Sequence, residues 1–217
     1  MTDIQNRCRL VLVAPETLEP QELASQLQDA LSGGDVASVI VPQRAIEEGL
    51  FQDLCAAAVP VIQAAGAAAL IDGDSRIAGR VRADGLFIAG GFDDLAAAVE
   101  KHTPAMIVGG GNARDRHQAL SMGDLEPDFL FFGRPDGDIK PEPHRKNVDL
   151  AEWWASMVDI PCILMGGNSI EHGEEMAATG AEFIAFGKAV FAADTPAGSQ
   201  VTLINRMLDE KAPRFDD

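Results

Sequence analysis

The chain has 217 residues, 47% of them hydrophobic and 24% charged, which is enough to bury one sizeable core in a single domain spanning residues 1–217. Lys and Arg number 17 against 34 Asp and Glu, so the formal net charge is −17 at pH 7. Such a charge repels nucleic-acid phosphates and anionic lipid, and no apolar run approaches the roughly 20 residues of a membrane-spanning helix. We therefore expect a soluble protein that binds neither nucleic acid nor membrane.

Three cysteines, Cys8, Cys55 and Cys162, stand at wide spacing, with no C-x-x-C pair that would indicate zinc or a redox dithiol. They are typical of buried or free thiols in a reducing compartment. The first nine residues lack the apolar stretch and cleavage site of an export signal. The sequence therefore predicts a cytoplasmic protein.

Short, nearly continuous apolar runs alternate with segments of helical periodicity along the chain. Continuous hydrophobicity is typical of strands buried on both faces of a parallel sheet. The predicted strands are 10–14, 36–41, 68–71, 86–88, 105–108, 129–132, 162–165 and 183–186. The predicted helices are 20–31, 44–65, 76–82, 93–101, 113–122, 150–158, 170–179 and 189–208, the last broken near Pro196.

Eight such units in 217 residues predict an α/β fold, namely a single-domain (β/α)8 TIM barrel with short connections. An open, doubly wound sheet is the alternative, because the third and fourth runs are short. In a barrel the active site lies at the C-terminal ends of the strands, so the residues directly after each run are the functional candidates.

One connection, residues 133–147, is long, rich in proline and without helical pattern, whereas most such loops run about 2 to 6 residues. It holds the densest basic cluster of the chain: Arg134, Lys140, His144, Arg145 and Lys146. We expect these cations to close over an anionic substrate. A solvated or locally paired loop is the alternative.

Glycines follow the seventh and eighth strands and lead straight into helices. Gly166 and Gly167 follow one strand, and Gly187 with Lys188 follows the next. Glycine lets backbone N–H groups approach an anion, and helix N-termini favour negative charge. The pattern predicts a phosphate site with Lys188 as a point charge, unless the glycines only form tight turns.

The fifth run is followed by the glycines 109–111 and then by Asn112. We interpret three successive glycines as a close approach of the backbone to a ligand, or as a flexible corner before a helix capped by Asn112. His117 would reach this rim only if the following helix begins late.

Carboxylates follow two other strands: Asp72 and Asp74 after the third, and Asp93 after the fourth. Mg²⁺ is usually held by a few hard oxygen ligands together with substrate phosphates and water. The pattern predicts a Mg²⁺ site of these three residues. A simple turn at Asp72 to Asp74 and a helix cap at Asp93 are the alternatives.

Two adjacent aromatic residues bear on assembly. Trp153 and Trp154 lie on a predicted outer helix, where one should face the core. The other would mark the interface of a homo-oligomer, unless core packing explains both.

Four segments of the sequence carry a family resemblance. They are LVLVAPETL at the first strand, RADGLFI at the fourth, EPDFLFFGRPDGDIKP at the sixth, and DIPCILMGGNSIEHGEEMAATGAEFIAFGKAVFAADTP at the end. From about residue 9 to residue 196 the chain resembles thiamine-phosphate synthase and the related thiazole tautomerases, which are barrels.

Synthases of that family join a pyrimidine methyl pyrophosphate to a thiazole phosphate, with Mg²⁺ helping pyrophosphate to leave. The resemblance implies a transferase with Lys140 as a catalytic residue. It places the small phosphorylated substrates on Arg44, Asn112, Lys140, Gly166, Gly167, Gly187 and Lys188, and the metal near Asp72, Asp74 and Asp93.

The chain departs from the usual family pattern at several of these positions. Of the expected Gln, Arg and Lys after the second strand, only Arg44 remains, and Asp72-Gly73-Asp74 replaces an Asn-Asp pair. Asn112 stands for a serine, and Asp138 and Ile139 replace threonines before the loop lysine.

These departures leave two alternatives to the synthase. One is a thiazole-phosphate tautomerase that uses His117 or His144 for proton transfer. The other is a non-catalytic relative that binds a phosphorylated ligand.

Overall fold

The computed structural model describes residues 6–192 and 194–215, and within them strands and helices alternate along the chain. The strands are β1 (Arg9–Val13), β2 (Ser38–Val41), β3 (Ala68–Asp72), β4 (Gly85–Ile88), β5 (Ile107–Gly111), β6 (Phe129–Phe132), β7 (Cys162–Met165) and β8 (Phe183–Phe186). The helices are α1 (Pro20–Leu31), α2 (Glu48–Ala64), α3 (Ser75–Val81), α4 (Phe92–His102), α5 (Arg116–Gly123), α6 (Arg145–Ala155), α7 (Gly173–Ala177), α8 (Lys188–Phe191) and α9 (Ala197–Lys211). A short 3₁₀ turn, Ile170–His172, precedes α7.

The eight strands are parallel and close into a barrel in chain order, with β8 hydrogen-bonded to β1. The predicted (β/α)8 barrel is confirmed, and the open sheet is excluded. Strands buried on both faces need apolar residues at every position, which explains their continuous hydrophobicity. None of the helices in 6–192 and 194–215 is both long and apolar enough to cross a bilayer.

Side chains from the strands fill the barrel, and a second apolar cluster lies between the barrel and its helices. The interior is formed by Val11, Val13, Ile40, Leu70, Phe87, Phe129, Phe131, Ile163, Met165 and Ala185. In the outer cluster Trp154 is buried, and its Nε1 donates to the Ile160 carbonyl at 2.7 Å. Trp153 is half-buried, with the Arg116 guanidinium 4.9 Å from its ring centroid. The expected core tryptophan is therefore Trp154.

The glycines 109–111 lie inside β5 rather than after it, which corrects their interpretation as a ligand contact or a flexible corner. A Cβ atom on Gly109 would enter the Phe129 ring, and one on Gly111 would lie 2.7 Å from Phe87 Cζ. The glycines are required because phenylalanine rings from neighbouring strands occupy the space beside this strand.

Several helices begin elsewhere than the periodicity indicates. Helix α2 begins at Glu48, and α6 begins at Arg145, so the long connection contains only residues 133–144. Helix α5 begins at Arg116, where the Asp115 side chain accepts the Gln118 N–H at 2.9 Å. Asn112 is therefore not a helix cap. The predicted break near Pro196 separates α8 from α9.

Acidic residues before the even-numbered strands fasten the starts of the odd-numbered ones. The three bonds join Asp84 Oδ2 to Ala69 N at 2.8 Å, Asp128 Oδ2 to Val108 N at 2.7 Å, and Glu182 Oε2 to Cys162 N at 2.8 Å. Before β2, Asp35 instead accepts two bonds from Arg9 of β1, at 2.9 and 2.7 Å. Strand pairs at the N-terminal face of the barrel are thus joined by side chains as well as by the backbone.

The N-terminal face also joins the two ends of the described chain. The side chain of Arg7 is buried and donates to Asp209 at 2.8 Å and to Asn205 at 3.1 Å, both on α9. Arg7 and Arg214 form an antiparallel bridge. Helix α9 is therefore fixed to the start of β1.

Candidate active site

A cavity of about 310 Å³ opens at the C-terminal mouth of the barrel. It lies between the ends of β1, β2 and β8 and residues 133–144, hereafter the β6–α6 loop. Arg44, Gly187 and Lys188, three of the predicted site residues, line it together. Asp136 and Asp138 of the loop also line it, and neither was predicted to contribute to the site.

Arg44 is fixed at the wall of this cavity. Its Nη2 donates to the Ala14 carbonyl at 3.0 Å and its Nη1 to the Pro15 carbonyl at 3.3 Å, which places it against the end of β1. Its Nε donates to Asp136 Oδ1 at 3.1 Å. The guanidinium therefore holds the β6–α6 loop against the barrel and is oriented before any ligand arrives.

Asp138 occupies the position predicted for a substrate phosphate. Its carboxylate accepts the backbone N–H of Lys188 at 2.6 Å and lies 3.2 Å from the Lys188 ammonium. The residue is only 2% exposed. A Cβ atom on Gly187 would lie 2.9 Å from Asp138 Oδ2, so glycine at this position allows the carboxylate to approach.

Of the predicted phosphate glycines after β7, Gly166 contacts β8 and Gly167 contacts the β6–α6 loop. Gly166 N donates to the Ala185 carbonyl at 2.8 Å. A Cβ atom on Gly167 would lie 2.5 Å from the Lys140 carbonyl oxygen, and that oxygen accepts the Asn168 N–H at 2.8 Å. Both glycines therefore also serve the packing of the chain at the mouth of the barrel.

The basic cluster is divided between the loop and a helix. Lys140 is exposed on the β6–α6 loop, whereas Arg145 and Lys146 belong to α6. Arg145 pairs with Asp149 one turn along that helix, at 2.8 Å. His144 is exposed and directly precedes α6. Arg145 of the cluster is thus locally paired, as the alternative interpretation of a paired loop predicted.

The three predicted metal ligands do not form one site. Asp74 caps α3 by accepting Arg76 N and Ile77 N, and its ion pair with Arg76 lowers its pKa. Asp93 is exposed in the first turn of α4. Across 6–192 and 194–215 no three His, Cys, Asp or Glu side chains are grouped to hold a metal.

Asp72 is the one predicted metal ligand that remains half-buried at the mouth. It accepts the Gln43 N–H at 3.3 Å, and burial, followed by the nearby Asp136, raises its pKa. The turn predicted as an alternative is present, because Asp74 N donates to the Asp72 carbonyl at 2.9 Å with Gly73 at φ 70°. The Asp72 carboxylate, a hard oxygen donor, can therefore still bind a metal ion.

Asn112 lies at a different cavity from Arg44 and Lys188. This second cavity, of about 460 Å³, is lined by residues of α4 and α5 together with Asn112, Arg114 and His117. Helix α5 begins late, and His117 in its first turn lines this second cavity. Neither His117 nor His144 lines the first cavity.

The family model described as thiamine monophosphate synthase (TMP-TENI) matches residues 10–190. The chain belongs to this family. The thiamine-phosphate synthase of Rhodospirillum centenum is 29% identical over 188 residues, covering 85% of this chain and 88% of the relative. That of Chlorobium phaeovibrioides is 30% identical over 210 residues, covering 93% of this chain and 95% of the relative.

The fold of the thiamine monophosphate synthase family is also found by structural comparison. The thiamine phosphate pyrophosphorylase from Pyrococcus furiosus superposes with a TM-score of 0.79 at 19% identity, covering 96% of this chain and 98% of that one. Similarity thus extends around the whole barrel. The departure of Asp138 and Ile139 from the threonines that the resemblance implies is the sequence signal that could have drawn attention to the Asp138 carboxylate.

Proposed function

We propose that this protein is a thiamine-phosphate synthase, a transferase that joins a pyrimidine methyl pyrophosphate to a thiazole phosphate. The observation that carries the proposal is the match of the family model over residues 10–190, which runs from β1 into α8 and so includes every strand end at the mouth. Curated relatives that match over most of their own length bear the name of this activity.

The reaction needs positioning and charge neutralisation more than proton transfer. The bond from the pyrimidine methylene carbon to pyrophosphate oxygen breaks, and its electron pair leaves with pyrophosphate. The thiazole nitrogen then donates its lone pair to the carbon. No proton moves in this exchange, so the absence of a histidine from the lining of the first cavity is compatible with it.

The cations at the mouth would neutralise the two phosphorylated substrates. We assign the thiazole phosphate to Gly166, Gly167, Gly187 and Lys188, and the pyrophosphate to Arg44 and Lys140. Asn112 lines the other cavity and is left out of this assignment. Arg44 supports this assignment because it lines the cavity with its guanidinium already oriented, and its carboxylate partner, Asp136, is exposed to solvent. Lys140 is the catalytic candidate, as an exposed cation on the β6–α6 loop, two residues after Asp138 of the cavity wall.

We propose a Mg²⁺ site with only one of the three predicted ligands. An ion carried by the pyrophosphate needs only one or two protein carboxylates, and Asp72 fits that role while Asp74 and Asp93 do not. Such an ion supplies neutralisation of the departing pyrophosphate.

The test is release of pyrophosphate by the purified protein supplied with both substrates and Mg²⁺. We expect release together with thiamine phosphate, and about a tenfold higher KM for thiazole phosphate in Lys188→Gln, since one charge-assisted contact is lost. Lys101→Gln, an exposed lysine near the end of α4, is the charge-matched control and should leave KM unchanged.

Other outcomes would assign the protein to the alternatives. Binding of thiazole phosphate with no release of pyrophosphate would indicate the non-catalytic relative. Isomerisation of the thiazole alone, without metal, would indicate the tautomerase.

A further inference from the structure

The donors at the end of β8 are already occupied by the chain itself. Lys188 supplies a backbone N–H and an ammonium group, and Asp138 binds both at 2.6 and 3.2 Å. Asp138 is 2% exposed, so water has little access to these two contacts. An anionic ligand at this position meets a buried negative charge before it meets the donors.

The carboxylate and the glycine next to Lys188 are matched in shape. Asp138 Oδ2 lies where it would be 2.9 Å from a Cβ atom on Gly187. The loop backbone is fastened on both sides of Asp138, by the Asp136 pair with Arg44 and by the Lys140 carbonyl on Asn168 N. The contact is therefore held by the loop and does not depend on one mobile side chain.

A phosphate and this carboxylate cannot share the position. A phosphate that accepted the Lys188 N–H would leave the Asp138 carboxylate buried and without this donor, next to a second anion. Two like charges in a buried position are disfavoured. Phosphate binding must therefore displace Asp138. The affinity for phosphate is lowered by the loss of the charge-assisted hydrogen bonds that Asp138 makes.

We propose that Asp138 competes with the substrate phosphate for Lys188 and so weakens phosphate binding at this site. The inference rests on the proposed function, because it takes the end of β8 as the phosphate position. A phosphorylated ligand binds only after Asp138 leaves, and a residue without charge at position 138 removes the competitor.

The experiment is calorimetric titration of the full-length protein with thiazole phosphate and, separately, with inorganic phosphate. We expect Asp138→Ala to bind both about tenfold more tightly than the unchanged protein, since a charge-assisted contact no longer has to be broken. Asp138→Asn keeps the shape and should give a smaller gain in the same direction. Should the alanine variant fail to fold, as judged by circular dichroism, the asparagine variant decides.

Two controls locate the effect. Glu142→Gln removes one charge from the exposed part of the same loop and should change affinity by less than about twofold. Adding Lys188→Gln to Asp138→Ala should abolish most of the gain. Unchanged phosphate affinity in both Asp138 variants, or a gain that survives loss of Lys188, would overturn the proposal.

The outcome is separable from that of the synthase assay. Pyrophosphate release with no gain in the Asp138 variants leaves the function standing and removes this inference. A gain in phosphate affinity without any turnover supports the inference and removes the function.

Discussion

Glycine positions in this barrel are set by what lies opposite them. Gly109 faces the Phe129 ring, and Gly187 faces the Asp138 carboxylate, so a side chain at either position would displace a buried group. Gly79 in α3, by contrast, has open space where its side chain would be. The same residue type is required for packing at the first two positions and is a cost to helix stability at the third.

Gly109→Ala tests this requirement. The added methyl group enters the space of a buried aromatic ring, so we expect the free energy of unfolding to fall by about 1 to 3 kcal/mol. Gly79→Ala is the control and should raise it by about 0.5 to 1 kcal/mol, because alanine favours the helix. Denaturant unfolding measures both, and equal effects from the two substitutions would contradict the argument.

The sequence predicts site residues that directly follow a strand better than site residues that a distant loop brings to the strand ends. Arg44 and Lys188 were predictable, since the ends of parallel strands converge at the mouth of a barrel. The Asp138 contact with Lys188 spans 50 positions and depends on how the β6–α6 loop docks, which periodicity does not encode. At Asp74 the sequence could not separate a metal ligand from a helix cap, because a carboxylate before a helix can serve as either, and in the structure it caps α3.

At the scale of elements, the carboxylates before β4, β6 and β8 add side-chain hydrogen bonds to the backbone hydrogen bonds of the parallel sheet. Each accepts the N–H at or near the start of the preceding strand, a group that would otherwise need another partner. Repetition at every second strand indicates a shared solution for pairs of βα units. The starts of β3, β5 and β7 are therefore each held by one side chain.

Asp128→Ala tests the fastening. The substitution leaves the Val108 N–H without its acceptor, so we expect a loss of about 1 to 3 kcal/mol in the free energy of unfolding. Asp128→Asn keeps an oxygen acceptor and should lose less. Asp124→Ala, exposed on the same connection, should change it by no more than about 0.5 kcal/mol, and a loss as large as that of Asp128→Ala would count against the fastening.

Elements were predictable where burial is continuous and less so where an element begins with polar residues. All eight strands were located, although β5 was shifted because its glycines look like a loop. Helix α6 begins three residues before Val148, its first buried residue, so its first turn carries no apolar signal.

At the scale of the whole molecule, the three cysteines are buried in the described structure and act as part of the core. Burial raises the pKa of Cys8 and of Cys55 to about 12 from an ordinary value of 9.0. Burial, together with the Glu182 carboxylate, also raises the pKa of Cys162. The thiols therefore stay protonated in the folded state when those of the unfolded chain ionise.

This difference predicts alkaline destabilisation. The unfolded thiols lose protons near pH 9, so the stability that they contribute is complete below pH 9 and is lost as pH rises towards 12. The limiting slope is about 1.4 kcal/mol per pH unit for each thiol. Denaturant titrations between pH 8 and 11 measure it. The chain has no tyrosine, and Lys211, whose pKa is raised by its hydrogen bond to Glu174, adds a loss in the same direction.

Cys55→Ala is the matched variant and should give a shallower loss of stability with pH. Reaction of the native thiols with a disulfide reagent should also require unfolding. A slope that Cys55→Ala leaves unchanged, or rapid modification of the native protein, would contradict this account.

The meeting of Asn6 and Phe215 on the N-terminal face has a consequence for engineering. Phe215 N donates to the Asn6 carbonyl at 3.4 Å, on the side of the barrel opposite the cavity at the mouth. A short peptide linker between these two residues would make the chain circular without crossing the mouth, and new termini could then be opened in a connection other than the β6–α6 loop. Surface tethers or fused reporter domains attached at either residue would project away from the ligand-binding side.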